Sequence, residues 1–204
     1  MKKTLLSIIV TFTLLSGFSQ AFDQADGTLN LQIMPGYAYD PGSNSYNTSK
    51  TVLPALMVSY DFGVHELISV APYAYFQHSS YSYDYNNWNN GNWGSNHYKS
   101  EVKYNNLGFG ARGLFHFGNM INGLNVEKLD LYGGLALGFA TRFKSEERDY
   151  YNNIYTDETV KSNSFDFEYD VFAGARWYFS EAFAVNAEVG FGTSIAKIGV
   201  TFKM

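Results

Sequence analysis

His78, Ser79 and Ser80 are the residues whose types could support nucleophilic catalysis. A histidine can act as the base that activates a serine hydroxyl, and residues two apart on a strand share a face. His78 and Ser80 could therefore act together in acyl transfer. A working triad also needs an acidic group that orients the histidine, and nothing in the sequence places one beside His78. We predict no catalytic residues.

Two other patterns could be mistaken for ligand sites. Residues Gly108 to Gly113 spell G-x-G-x-x-G, but a dinucleotide site needs a helix to start there, and the apolar alternation continues as a strand instead. The four histidines, at positions 65, 78, 97 and 116, lack the spacing of metal ligands. We predict neither a cofactor nor a metal site.

The composition favours a folded, β-rich chain. Of the 204 residues, 46% are hydrophobic and 18% aromatic, with 17 Tyr, 17 Phe and 19 Gly, which is too apolar for a disordered protein. The net charge of −5 argues against binding nucleic acid through its phosphates. The absence of Cys excludes disulfides and thiol catalysis.

The first residues resemble an export signal. Lys2 and Lys3 precede an apolar stretch from Thr4 to Phe18, and Ser19 and Ala21 occupy the small-residue positions of a cleavage site. We predict a signal peptide over residues 1–21 and a mature domain over residues 22–204. Beyond Ala21 no run of 18 apolar residues occurs, so an inner-membrane helix is not expected.

Strict alternation of apolar and polar or small residues predicts strands. Between Phe165 and Phe179 the odd positions are apolar, while the even ones include Asp166, Glu168 and Asp170. Eight segments show this pattern, each long enough to cross a bilayer as a tilted strand. They cover residues 28–39, 51–61, 67–77, 103–117, 129–143, 165–179, 183–192 and 195–204.

The residue types on the face opposite the apolar one distinguish a membrane barrel from a soluble sandwich or a lipocalin-like barrel. It mixes charges with many glycines, which suits a crowded interior better than a solvent-facing surface. Aromatic residues gather near both ends of the strands and predict two interfacial girdles. One comprises Tyr60, Phe62, Phe115, Phe117, Trp177, Phe179, Phe183 and Phe202, and the other Tyr37, Tyr39, Phe76, Phe139, Phe165, Phe167 and Phe191.

Five of the charged residues on the predicted interior face are expected to form a network. Because an unpaired charge in a narrow interior is costly, we expect Glu188 to contact Arg112 or Arg176, with Asp170 and Lys197 completing the network. The alternative interpretation of the same charges is a gated polar path for small solutes.

Connections between the predicted strands alternate in length. Short links at about 62–66, 118–128 and 180–182 suit periplasmic turns, and longer ones at about 40–50, 78–102 and 144–164 suit external loops. The second external loop is rich in Tyr, Asn and Trp, a composition typical of adaptable binding loops. Its candidate recognition residues are Tyr81, Tyr83, Tyr85, Trp88 and Trp93.

Proline residues interrupt the first three predicted strands. Pro35, Pro54 and Pro72 fall on the predicted lipid face, and each removes a donor from the hydrogen-bond ladder. We expect local bulges there.

The segments DLYGGLALGF from Asp130, GARWYFSEAFAVNAEVGFG from Gly174 and the closing IGVTFKM carry a resemblance to a known family. With the signal peptide and the alternating strands, they resemble the porin-like outer-membrane β-barrel family that includes opacity proteins and the OmpA membrane domain. The resemblance implies an eight-stranded antiparallel transmembrane β-barrel, all-β and an up-and-down meander, with both termini periplasmic.

These observations predict a monomeric, non-enzymatic barrel in the bacterial outer membrane. Its expected role is surface recognition or adhesion through the external loops, or envelope integrity. The alternatives are an acyl hydrolase or acyltransferase acting on lipid A, and a narrow pore. Expected partners are outer-membrane lipid and lipopolysaccharide, the outer-membrane assembly machinery and a host or surface ligand.

Overall fold

The structure is a computed structural model that describes residues 27–35, 47–89, 92–121, 128–150 and 158–204. The predicted signal peptide lies outside the described residues. The described residues form nine strands and one 3₁₀ turn, which spans Gly118–Met120. The strands are β1 Gly27–Met34, β2 Asn47–Val52, β3 Ala55–His65, β4 Ile68–Asn89, β5 Asn92–His116, β6 Leu129–Tyr150, β7 Glu158–Ser180, β8 Phe183–Gly192 and β9 Ala196–Lys203.

The strands close into an antiparallel ring. Strand β1 pairs with β3 on one side and with β9 on the other, so that Leu31 lies opposite both Val58 and Val200. From β3 to β9 each strand pairs with the next along the chain. Strands β2 and β3 act as one barrel strand broken near Pro54, which gives a ring of eight. The predicted eight-stranded meander is confirmed.

The barrel is apolar outside and polar inside. Along β7 the exposed fraction alternates from 50% at Val171 to 4% at Phe172, and from 0% at Arg176 to 46% at Trp177. Leu, Val, Ile and Phe side chains cover the outer face, while Arg112 and Arg176 are among the largest fully buried side chains. A protein in water would bury the first group and expose the second, so this surface is built for lipid.

No helix in the described part of the chain is long and apolar enough to cross a membrane.

Aromatic side chains encircle both ends of the apolar surface. At the end that carries the short turns, Phe183 lies 5.5 Å from Phe202 and 6.2 Å from Phe179 between ring centroids. At the opposite end, Phe139 stacks on Phe165 at 5.0 Å and meets Phe167 edge-on at 5.7 Å. Rings at these depths anchor a barrel at the two membrane interfaces. Tyr37 and Tyr39, predicted for the second girdle, lie outside the described residues.

The three prolines differ in their effects. At Pro54 three residues, from Leu53 to Ala55, lie opposite only Gln77 and His78, so the expected bulge occurs there. Pro72 lies opposite Ala111 within β4 and causes no shift of register on either side, so a bulge there was wrongly predicted. Pro35 lies just beyond the end of β1. All three are exposed on the outer face.

The second and third external loops are largely strand, which corrects the predicted boundaries. Strands β4 and β5 pair without a break in register from Ile68 opposite Phe115 to Asn86 opposite His97. Strands β6 and β7 likewise extend to Arg148 opposite Glu158. The sequence prediction stopped each strand where its apolar face ended. Above the membrane both faces of a strand can be polar, while the Tyr, Thr and Val residues retain their preference for extended backbone.

Candidate functional site

The barrel interior holds a linked set of buried charges in two groups. The first centres on Glu188 of β8, which is 3% exposed. Its Oε1 accepts hydrogen bonds from Arg112 Nη2 at 2.6 Å and from the Tyr132 hydroxyl at 3.0 Å. Its Oε2 lies 3.2 Å from Lys197 Nζ, which also contacts Asp170 Oδ2 at 2.5 Å. Two cations and two carboxylates balance in this group.

An aromatic ring separates the two cations of this group. The Arg112 guanidinium lies over the Phe172 ring, 4.2 Å from its centroid, and Lys197 Nζ lies 4.9 Å from the same centroid. Cations are attracted to the face of an aromatic ring, especially where water is excluded. Phe172 therefore spaces the two like charges while contacting both.

The second group centres on Arg176, nearer the short turns. Arg176 pairs with Asp61, and its Nη1 lies 3.3 Å from Asp130 Oδ2. The sequence reasoning offered Arg176 as one of two partners for Glu188, and the structure gives that role to Arg112. Asp61 and Asp130 were missed because each lies beside a predicted turn. The alternating pattern could have predicted both aspartates as interior residues, because each occupies an inward position.

Ser69, His116 and Asp130 form a chain of hydrogen bonds within the second group. His116 Nε2 lies 2.9 Å from the Ser69 hydroxyl, and His116 Nδ1 lies 2.8 Å from Asp130 Oδ1. This is the order of contacts in a hydrolase triad. All three side chains are at most 4% exposed, and Asp130 is shared with Arg176. A substrate carbonyl therefore cannot reach Ser69, and the chain acts to satisfy buried polar atoms.

His78, Ser79 and Ser80 do not assemble such a chain. Ser79 points into the barrel and is fully buried. His78 and Ser80 share the outer face, as the spacing predicted, but His78 Nδ1 lies 2.8 Å from Asn105 Oδ1. Ser80 donates to Glu101 at 3.3 Å. His78 and Ser80 thus contact different partners, Asn105 and Glu101.

Glycines make room for large interior side chains. A Cβ at Gly138 would lie 2.3 Å from the Tyr73 hydroxyl, and one at Gly108 would lie 2.1 Å from the Tyr75 ring. The G-x-G-x-x-G match at Gly108 is therefore part of strand β5, where small residues accommodate tyrosines from β4. A hollow lined in part by Arg112, Asp170 and Lys197 has a volume of about 10 Å³. That is space for about one water molecule.

The described residues contain no group of His, Asp and Glu side chains suited to hold a metal ion.

The candidate recognition residues lie on the β4–β5 hairpin. Tyr85 is paired with Tyr98, and Trp88 with Trp93, in the backbone register. The side chains of Tyr85, Trp88 and Trp93 lie outside the described residues. Tyr81 is fully buried and packs edge-on against Tyr104 at 6.0 Å, whereas Tyr83 is half-buried. Tyr81 therefore supports the hairpin and offers no contact surface.

Charged side chains line the inner face of the extended parts of β6 and β7, with one ion pair between the strands and two along β6. Arg142 Nη1 lies 3.2 Å from Asp166 Oδ2. Glu146 Oε2 accepts from Lys144 at 2.8 Å, and its Oε1 lies 2.6 Å from Arg148. Partial burial opposes ionisation of Glu146, but the hydrogen bonds from Lys144 and Arg148 outweigh it and hold the Glu146 pKa below its usual range.

The structure combines three features: a closed ring of strands, an apolar outer belt between two aromatic girdles, and a filled interior that carries charges. The chain is an outer-membrane β-barrel. The termini of the ring, at Gly27 and Lys203, lie at the end with the short turns, which in outer-membrane barrels is the end that faces the periplasm. The long hairpins lie at the opposite end, which in such barrels faces outside the cell.

No protein-family model matches the chain. No curated protein matches its sequence. Among solved structures it is similar to the N-terminal β-barrel domain of Pseudomonas aeruginosa OprF, at 15% identity and a TM-score of 0.42 over 90% of this chain and 100% of that one. It is also similar to P. aeruginosa OprG, at 11% identity and a TM-score of 0.47 over 89% and 97% of the two chains. It is similar as well to Ail, the attachment invasion locus protein of Yersinia pestis, at 12% identity and a TM-score of 0.37 over 88% of this chain and 95% of that one.

Proposed function

We propose that this outer-membrane barrel is a non-enzymatic surface recognition protein whose contacts are made by its protruding hairpins. The observation that carries this proposal is the length of four strands. Strands β4 to β7 have 22, 25, 22 and 23 residues, whereas β1, β8 and β9 have 8, 10 and 8. Crossing a bilayer takes only about 9–11 residues. The excess length serves no purpose within the membrane.

The excess strand forms one sheet that stands above one side of the barrel. Strand β2 pairs with β4, so the protruding sheet runs β2–β4–β5–β6–β7. On the opposite side, β8 turns into β9 at Thr193 and Ser194, close to the membrane surface. The outer face of the sheet is therefore accessible, whereas its inner face is partly filled by buried side chains such as Tyr81 and Val102.

Within the described residues the protruding sheet also has a free edge. Strand β8 pairs with β7 only as far as Gly192 opposite Asp170, and the Tyr169 carbonyl accepts from Thr193 N at 3.1 Å. From Glu158 to Glu168, β7 pairs with β6 alone among the described strands. Unpaired backbone N–H and C=O groups on an edge strand can pair with a strand of another protein. This edge supports recognition of a protein ligand that offers an extended segment.

The filled interior favours recognition over passage of solutes. The charges centred on Glu188 are paired, and the hollow beside Arg112 holds about 10 Å³. A water-filled path would need these side chains to move apart. Envelope integrity is the second candidate function, and the paired charges of the filled interior support it. We also propose that the barrel is of the opacity-protein or OmpA type, and that the outer-membrane assembly machinery inserts it.

Shortening one hairpin tests the proposal. Replacing residues 84–99 with Asn-Gly joins Tyr83 to Ser100, which are paired, so the register of β4 and β5 is kept. Bacteria that display this variant should lose adhesion to epithelial cell monolayers, while the heat-modifiable mobility of the barrel on electrophoresis stays unchanged. Unchanged adhesion would refute recognition by this hairpin. Loss of detergent or bile resistance with normal adhesion would favour envelope integrity.

The two rival functions have their own readouts. An acyl hydrolase or acyltransferase changes the mass of lipid A when the chain is expressed, and His78→Ala abolishes that change. A narrow pore produces stepwise conductance in planar bilayers. We expect neither effect.

A further inference from the structure

The outward face of the β4–β7 sheet, just above the apolar belt, carries rows of residues that are paired across the strands. Residues directly opposite one another in antiparallel strands lie on the same face, so the strand register defines each row. The first row above the stacked aromatics contains His78, Asn105, Phe143 and Asn163. The next row outward, here named the lysine row, contains Ser80, Lys103, Ser145 and Lys161.

This position corresponds to the headgroup level of the outer leaflet. Phe143 and Phe165 are 48% and 62% exposed and mark the upper limit of the apolar surface. Amide side chains follow immediately, and lysines follow those. The order from apolar to amide to cation matches the order from acyl chain to sugar to phosphate in a glycolipid.

A surface hollow of about 260 Å³ lies at the meeting point of these rows. Its lining residues are Asn105, Phe143, Lys144, Ser145, Lys161, Ser162 and Asn163. Lys144 and Ser162 belong to the inner face of their strands, and Lys144 is paired with Glu146. The five outward-facing residues bring one aromatic ring, one hydroxyl, two amides and one cation to a volume that a sugar ring with its phosphate can enter. These five residues, Asn105, Phe143, Ser145, Lys161 and Asn163, are here named the lysine shelf.

The two lysines of the row differ in their electrostatic surroundings. Lys103 lies 3.4 Å from Glu101 and 3.7 Å from Glu147, so its charge is already compensated. Lys161 is exposed and makes no ion pair with any residue that the structure describes. It lies on the free edge of β7, where β8 no longer covers the sheet. Lys161 is thus the cation available to an anionic ligand.

We propose that the lysine shelf binds the phosphorylated sugar of an outer-leaflet glycolipid. Lys161 and the Ser145 hydroxyl would hold the phosphate, and Asn105 and Asn163 would bind sugar hydroxyls. Phe143 would contact the apolar face of the sugar and the start of the acyl chains. The convergence of amides on the cation favours a glycolipid over a phosphoglycerolipid, which has no sugar to engage them. This inference rests on the placement of the hairpins outside the cell, and not on adhesion.

The test uses the folded full chain in a non-ionic detergent and native mass spectrometry of bound lipid. The probes are diphosphorylated lipid A, the same lipid A without phosphates, and phosphatidylglycerol. Lys161→Ala should weaken binding of diphosphorylated lipid A by about tenfold or more, the value of one charge-assisted hydrogen bond. Lys161→Arg should retain binding. Lys128→Ala, which removes an exposed lysine at the periplasmic end, should leave it unchanged.

Three results would overturn the inference. Equal binding by the wild-type chain and Lys161→Ala would exclude the site. Equal binding of lipid A with and without phosphates would exclude the charge as its basis, and equal binding of phosphatidylglycerol would exclude the sugar contacts. Heat-modifiable mobility checks that each variant is folded. An adhesion assay with Lys161→Ala separates this site from the proposed recognition function, because a lipid site can fail while adhesion persists.

Discussion

Arg112 and Glu188 meet inside the barrel, with Nη2 of the arginine 2.6 Å from Oε1 of the glutamate and both side chains 1% exposed. They belong to β5 and β8, which are not neighbours in the sheet. The ion pair therefore crosses the interior and connects opposite walls of the ring.

Removing the Glu188 carboxylate should destabilise the barrel strongly. In Glu188→Ala, Arg112 loses its only described carboxylate contact and Lys197 keeps only Asp170, so the interior gains an uncompensated positive charge. Leaving such a charge buried costs about 3–5 kcal/mol. Urea unfolding in detergent micelles, followed by the heat-modifiable folded fraction, measures the loss.

A matched control is Glu147→Gln. Glu147 pairs with Lys103 at 3.7 Å, but its side chain is 50% exposed above the membrane. Exposed pairs contribute about 0–1 kcal/mol, so this variant should unfold close to the wild type. Equal midpoints for Glu188→Ala and Glu147→Gln would contradict a stabilising role for the interior network.

Glycine substitutions test how tightly the interior is filled. In Gly138→Ala the new Cβ would lie 2.3 Å from the Tyr73 hydroxyl and 2.5 Å from the Phe109 carbonyl oxygen, so backbone and side chain must both shift. Overpacking of this kind costs about 1–3 kcal/mol. Gly113→Ala is the control, because nothing lies within 4 Å of its Cβ. The same urea unfolding assay should show a lower midpoint for Gly138→Ala alone.

The alternation of residue types was sufficient to predict the ring. A one-residue slip would turn Arg176 outward and Trp177 inward, so the register of β7 is strongly specified by the sequence itself. The inward placement of Gly138 follows from the same period of two. Alternation does not predict the partner of each charge. The tilt of the strands determines which inward residues lie at the same height along the barrel axis. Arg112 and Arg176 were therefore both candidates for Glu188.

The hairpin extensions were missed for a different reason. The lipid face gives a strong signal only over the width of the bilayer, and β4 beyond Gln77 has no apolar face to detect. The pairing of Tyr83 with Ser100 depends on backbone hydrogen bonds and on the strand preference of tyrosine, which composition alone does not locate.

The Ser69–His116–Asp130 chain should be structural and unreactive. Because Ser69 is fully buried, a fluorophosphonate probe should not label the folded wild-type barrel. Ser69→Ala should cost about 1 kcal/mol, since it removes the buried hydrogen bond between the Ser69 hydroxyl and His116 Nε2. Stoichiometric labelling that is lost in Ser69→Ala would instead show an accessible nucleophile and overturn the non-enzymatic proposal.

The outer hairpin of β6 and β7 should loosen in acid while the barrel remains intact. The Glu146 pKa lies below its ordinary value of 4.5, because hydrogen bonds from Lys144 and Arg148 outweigh the effect of burial. A lowered pKa means that the contribution of Glu146 to stability is complete above about pH 4.5 and is lost as the pH falls through the folded-state value. Glu146→Gln should reproduce this loss at pH 7. Hydrogen exchange of residues 144–150, corrected for intrinsic rates, should then be faster by up to about fivefold, the range for partly exposed pairs. The control is Glu147→Gln, because Glu147 lies on the opposite face of β6. Its amides should exchange at the wild-type rate. Faster exchange in Glu147→Gln as well would show that the loss of any charge, and not of the Glu146 contacts, loosens the hairpin.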